Sequence, residues 1–61
     1  MSKMTPLELL TIDDVADLFQ VSPKTVRRWI QAEELVAAKL GNQWRIDLLD
    51  AKRFFVERLS R

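Results

Sequence analysis

Cysteine and histidine are both missing from this 61-residue chain. No disulfide can staple the domain, and the common zinc sites have no ligands to use. The lack of cysteine leaves the redox compartment open. Glycine occurs once, too rarely for a loop of the kind that cradles phosphates. No apolar run approaches the roughly 20 residues that a membrane span needs. The opening stretch MSKMTPLELL has one lysine but neither a long apolar core nor a small-residue cleavage site, which makes it a poor signal peptide. Its initial Met suggests a natural N-terminus. These absences point to a soluble, cytoplasmic domain with no membrane partner.

The remaining composition is that of a folded chain. Apolar residues make up 48% and charged residues 31%, a globular balance rather than a disordered one. A chain this short buries only about 60% of its unfolded surface, so one small domain with a marginal core is the limit. Without His or Cys, and with carboxylates scattered over helix surfaces, no catalytic constellation can be assembled. Such a core also leaves no room for a useful pocket. No enzyme, cofactor, metal or small-molecule substrate is expected.

Net charge is only +1, but its distribution is uneven. Residues 1–21 set Lys3 against Glu8, Asp13, Asp14 and Asp17. Residues 22–46 set Lys24, Arg27, Arg28, Lys39 and Arg45 against Glu33 and Glu34. The middle of the chain is therefore its positive part, and such polarity steers a polyanion to one face.

Helical and strand signals follow in a clear order. Residues 1–10 read as a loose arm broken at Pro6, with Leu7, Leu9 and Leu10 laying part of it back on the core. Thr11 and Asp14 form a capping box. Ile12, Val15, Ala16 and Phe19 then fall on one helical face, which predicts a first helix over 12–19. Ser22 is a second N-cap and Pro23 sits at the first helical position, where its missing N–H costs nothing. A second helix follows from Pro23 to about Glu33. The connection Gln20–Ser22, with Val21 plugging the angle, makes the pair a helix-turn-helix. Ala37–Leu40 and Gln43–Ile46 read as two short strands around a Gly41–Asn42 turn. Asp47 then caps a last helix from Leu48 to about Leu59, with Leu48, Ala51, Phe54, Phe55 and Leu59 as its inner face. The fold class is mainly α with a small β-hairpin: three helices and a two-stranded wing, a winged helix-turn-helix in a single domain over 11–61.

The stretch VSPKTVRRWI carries the chemistry. At 100° per residue, Ser22, Val26, Trp29 and Ile30 share the inner side of the second helix, and Lys24, Arg27, Arg28 and Gln31 share the outer side. Thr25 lies at the border. Arginine can pair bidentately with guanine and glutamine with adenine in a DNA major groove. Lys24 and the free N–H groups of the first turn suit phosphates. An exposed helix face can also be charged merely to stay wet, but no acidic residue interrupts these four. In the wing, Lys39 and Arg45 flank a tip formed by Asn42 and Gln43, which is either a minor-groove or phosphate contact or an ordinary polar turn. Trp44 either closes the hairpin onto the second helix or presents a stacking ring. The need of Trp29 and Phe54 for partners favours the core.

From Leu10 to Phe55 the sequence resembles the excisionase-type helix-turn-helix domain, a relative of the MerR DNA-binding domain. The resemblance rests on LTIDDVADLFQVSPKTVRRWI, the LVAAKLGNQWRI stretch and the DLLDAKRFF helix. It implies a winged helix-turn-helix with Ser22, Lys24, Thr25, Arg27 and Arg28 in or beside the major groove and the Gly41–Gln43 turn as the wing. Such domains act as recombination directionality factors that bend DNA and contact a recombinase. They also act in transcription regulation, or as the DNA-binding end of longer regulators. The chain departs from the pattern at Glu34, where a glycine is usual, at Asp14 and Ala51, where Glu and Leu or Ile are commoner, and in a wing with a single arginine. Two functions follow: double-stranded DNA binding, with a recombinase or a second copy bound cooperatively as partner, or a protein-interaction module on a scaffold that has lost DNA.

Overall fold

Thr11 launches the first helix as its position predicts. Its Oγ1 accepts the Asp14 N–H at 3.0 Å, and the Asp14 carboxylate accepts the Thr11 N–H at 3.0 Å. The closed box satisfies two backbone donors that a helix start leaves orphaned. The computed structural model describes residues 8–59, and here α1 runs over Ile12–Phe19. It stops at Gln20, which takes a left-handed backbone (φ 58°). Val21, half-buried against the core, fills the angle. Ser22 then accepts the Thr25 N–H at 3.2 Å, and Pro23 opens α2, Pro23–Gln31.

The second helix ends two residues earlier than the apolar pattern predicts. Ala32 is its cap, and Glu33 turns left-handed at φ 60°. The Glu34 and Leu35 N–H groups fold back onto the Trp29 carbonyl at 2.9 and 3.2 Å. Leu35, only 2% exposed, is a core residue. Its burial draws the chain back across the helix end, and helical continuation would carry it away. The left-handed residue, the one for which glycine is best suited, is Glu33 and not Glu34.

The hairpin is present as β2, Ala38–Leu40, and β3, Gln43–Asp47. Leu40 pairs with Gln43 across Gly41–Asn42. Only Gly41 of the two has positive φ (62°), the pattern of a II′ turn with glycine first, whose twist suits a hairpin. A third strand joins the sheet. Leu9–Leu10, read from sequence as part of the arm, form β1. They pair antiparallel with β3, Leu9 opposite Asp47 and Leu10 opposite Ile46. The sheet order is β1-β3-β2. The Leu48 N–H bonds the Glu8 carbonyl at 2.9 Å and continues the ladder. A bare hairpin would leave the second edge of β3 with unpaired backbone groups, and β1 satisfies them. Of the arm expected over 1–10, residues 1–7 lie outside the described residues.

The last helix, α3, spans Leu48–Leu59. The Leu49 N–H faces the Asp47 carboxylate at a long 3.4 Å. Its inner face is narrower than expected. Ala51 and Phe54 are buried and Leu48 half-buried, but Phe55 is 48% and Leu59 68% exposed. Nothing beyond α1 covers that side of the helix among the described residues, so the stripe runs past the core it has to meet. The core takes Val15 and Ala16 from α1, Val26 and Ile30 from α2, Leu35, Ile46 from β3, and Ala51 and Phe54 from α3. Aromatic rings bind the three helices together. Phe19 lies 6.3 Å from Trp29 and 5.6 Å from Phe55, and Trp29 lies 4.8 Å from Phe54, centroid to centroid.

Candidate nucleic-acid interface

The inner side of α2 is fixed by Val26, fully buried, and Ile30. That anchoring sets the outer side by helical rotation alone. Lys24, Arg27, Arg28 and Gln31 are all exposed there. None makes a side-chain hydrogen bond or ion pair among the described residues. No acidic residue occupies the first turn of α2. Four long polar side chains, three of them cationic, thus project from one rigid helix with their donors open to a ligand.

Ser22 and Thr25 are placed differently. The Ser22 hydroxyl accepts the Thr25 N–H, and the two hydroxyls are hydrogen-bonded at 3.0 Å. Both side chains are engaged in starting the helix. They sit at the near end of the exposed face and bear on its orientation.

The wing residues fall into two groups. Lys39, Asn42 and Gln43 are exposed. Arg45 is half-buried, and its guanidinium donates to the Trp44 carbonyl at 3.0 Å and to the Gln43 side-chain oxygen. Trp44 resolves the two alternatives as a mixture. It packs against the core cluster, and the Lys39 ammonium sits over its ring 5.6 Å from the centroid.

A cleft of about 450 Å³ separates wing and helix. Arg27 lies on one wall, Lys39, Asn42, Gln43, Trp44 and Arg45 on another, and Thr11, Ile12 and Asp13 at the base of α1 on the third. Sequence reasoning missed this third wall. It exists because β1 ties the chain just before Thr11 to β3, which brings the start of α1 under the wing. The only trace in the sequence is a pair of leucines immediately before a capping threonine.

Sequence reasoning also missed Arg58. Its guanidinium lies 4.6 Å from the Phe54 ring centroid and 5.8 Å from that of Trp29. It also bridges to Glu34 at 2.6 Å. One of the two acidic residues at the end of α2 is thereby paired on the side of α3. A second surface feature lies between α1 and α3, an open apolar groove lined by Leu18, Phe19, Leu48, Phe55 and Val56, with Lys52 at its side.

No group of three or more possible metal-binding side chains occurs among the described residues. No helix among them is long and apolar enough to cross a membrane. A family model described as a helix-turn-helix domain matches residues 9–54, which takes in every element from β1 to the middle of α3. No curated protein matches the chain.

Proposed function

We propose, for a chain that belongs to the excisionase-type helix-turn-helix domain family, that it binds double-stranded DNA sequence-specifically. In this reading α2 enters the major groove and the wing makes a second contact. The observation that carries it is the outer face of α2: Lys24, Arg27, Arg28 and Gln31 exposed, unpaired among the described residues and free of acidic neighbours in the first turn. Arginine and glutamine on such a face match guanine and adenine edges. Family membership points to the same ligand class. Ser22 and Thr25 hold the start of the reading helix, while Lys39, Asn42, Gln43 and Arg45 supply the wing.

A single module of this size covers roughly 600–1,000 Å² of protein surface on DNA. It reaches about 3–5 phosphates, so one copy binds weakly and loses affinity steeply with salt. Useful occupancy then requires neighbours: a second copy on a repeated site, a recombinase on the same DNA, or a longer protein carrying the domain. These are the settings of a recombination directionality factor or a small transcription regulator. With this function the protein acts on DNA inside the cell and needs no cofactor or catalytic residue.

The apolar groove between α1 and α3 favours a second reading, a protein-interaction module that needs no DNA. NMR titration of the labelled domain with a generic duplex at about 50 and 200 mM salt separates the two. Shifts at Lys24, Arg27, Arg28, Gln31 and Gly41–Gln43 that appear at low salt and relax at high salt are expected. Silence at those residues at low salt would transfer the function to a protein partner.

A further inference from the structure

The two adjacent arginines do not occupy the same surroundings. Arg27 is the α2 side chain that lines the cleft beside the wing, which it shares with Lys39 and Arg45. Arg28 is absent from that wall. On the helical wheel it lies one 100° step from Arg27, close to the outward direction and beside Lys24, while Arg27 sits on the flank. From this difference we infer that Arg27 and Arg28 divide the interface: Arg27, with Arg45 and Lys39 of the wing, grips the sugar–phosphate strand that runs between helix and wing, and Arg28, with Gln31, faces the base edges. The inference rests on the DNA-binding reading and names the ligand group that each arginine meets.

Three features of the cleft fit a backbone strand. It is lined by cations from two separate elements, Arg27 of α2 and Lys39 and Arg45 of the hairpin. Its polar wall includes Asn42 and Gln43, neutral groups that suit phosphate and sugar oxygens. The wing's tryptophan is partly engaged already, because Trp44 packs against the core and carries Lys39 over its ring. One group opposes the strand. Asp13 stands on the third wall with no ion pair or hydrogen bond of its side chain among the described residues. A carboxylate here repels phosphate whatever the base sequence, so it sets an upper limit on affinity and leaves preference untouched. Its effect distinguishes a backbone cleft from a base-reading one.

The test uses the intact chain and a random-sequence duplex pool, with selection and sequencing of the bound fraction, followed by affinity measurements over a salt series on one selected and one unselected duplex. Arg27→Ala should weaken both duplexes by a similar factor, roughly tenfold, lower the salt slope by about 1, and leave the selected motif unchanged. Arg27→Lys should restore most of the loss, since a point charge serves a phosphate. Arg28→Ala should weaken the selected duplex roughly tenfold or more, change the unselected one little, and relax the motif at one position. Arg28→Lys should not restore that position. Asp13→Asn should tighten both duplexes alike and steepen neither preference. If Arg27→Ala alters the motif, or Arg27→Lys fails to rescue, the division is wrong while DNA binding stands. If the wild-type chain binds no duplex at low salt, the DNA reading itself has failed. Circular dichroism of each variant separates lost contacts from lost fold.

Discussion

Helices α2 and α3 carry equal numbers of cations and use them in opposite ways. On α2, Lys24, Arg27 and Arg28 are exposed and unpaired among the described residues, and the opposite side of the helix is a compact stripe through Val26 and Ile30. On α3, Arg58 is committed to Glu34, Phe54 and Trp29, and the exposed remainder includes Phe55, Val56 and Leu59 beside Lys52 and Arg53. Net charge cannot tell these helices apart. What distinguishes them is placement: three cations share one exposed face of α2, while one of the three on α3 is packed on two rings and ion-paired.

The largest expected effect breaks the comparison on the α2 side. On a duplex selected from a random pool, the double variant Arg27→Ala/Arg28→Ala should bind roughly 100-fold more weakly than the parent, from one lost phosphate contact and one lost base contact. The matching variant on α3, Lys52→Ala/Arg53→Ala, removes the same charge from the opposite part of the molecule. It should change affinity by no more than about threefold, the residue of long-range steering. Fluorescence anisotropy at fixed salt measures both. Equal losses would mean that DNA reads the protein's overall charge and no particular face.

A smaller effect sharpens the α3 side. Arg58→Ala should lower folding stability by about 1 kcal/mol, with DNA affinity unchanged. Most of that loss is expected from the stacking over Phe54 and Trp29, since cation–π contacts at partly exposed sites are worth about 0.5–1 kcal/mol. The bridge to Glu34 is half-exposed at both ends, where ion pairs contribute only about 0–1 kcal/mol and are screened by salt. Glu34→Gln should therefore cost less than Arg58→Ala. Urea denaturation of the two variants, with and without added salt, checks the order. A larger loss in Glu34→Gln would make the bridge, and not the stacking, the bond between α3 and the end of α2.

How far the sequence foretold this arrangement follows from the range of each interaction. The capping box of Thr11 and Asp14 and the Ser22–Pro23 start of α2 were legible because cap and partner lie within three residues. The outer face of α2 was legible because a helix's rotation is fixed once Val26, Trp29 and Ile30 mark its inside. Strand β1 was not legible. Two leucines have no period, and their partners Ile46 and Asp47 are supplied by the far end of the chain. The third wall of the cleft went unseen with it. The engagement of Arg58 was not legible for a similar reason, its ion-pair partner being 24 residues away. The inner face of α3 was overdrawn at Phe55 and Leu59 because periodicity reports apolar alignment, not whether another element arrives to cover it.

The smallest expected effect lies at the seam between the two helices. Glu33 holds a left-handed backbone at φ 60°, which costs an L residue with a side chain about 1–2 kcal/mol. Glycine adopts that angle freely but loses more freedom on folding, worth roughly 0.5–1 kcal/mol. Glu33→Gly should therefore raise stability by about 0.5–1 kcal/mol, with the urea m value unchanged. Glu33→Asn, which tolerates the left-handed region better than Glu, should fall between the two. The side chain is exposed and makes no ion pair or hydrogen bond among the described residues, so no contact is lost to offset the gain. Because Glu33 lies just beyond α2, the helix proposed to enter the groove, removing its carboxylate should also strengthen DNA binding slightly and equally on all sequences. Stability that falls in Glu33→Gly but holds in Glu33→Asn would show that the turn relies on a residue with restricted backbone freedom. The early end of α2 would then be set by chain stiffness at Glu33, with the burial of Leu35 following from it.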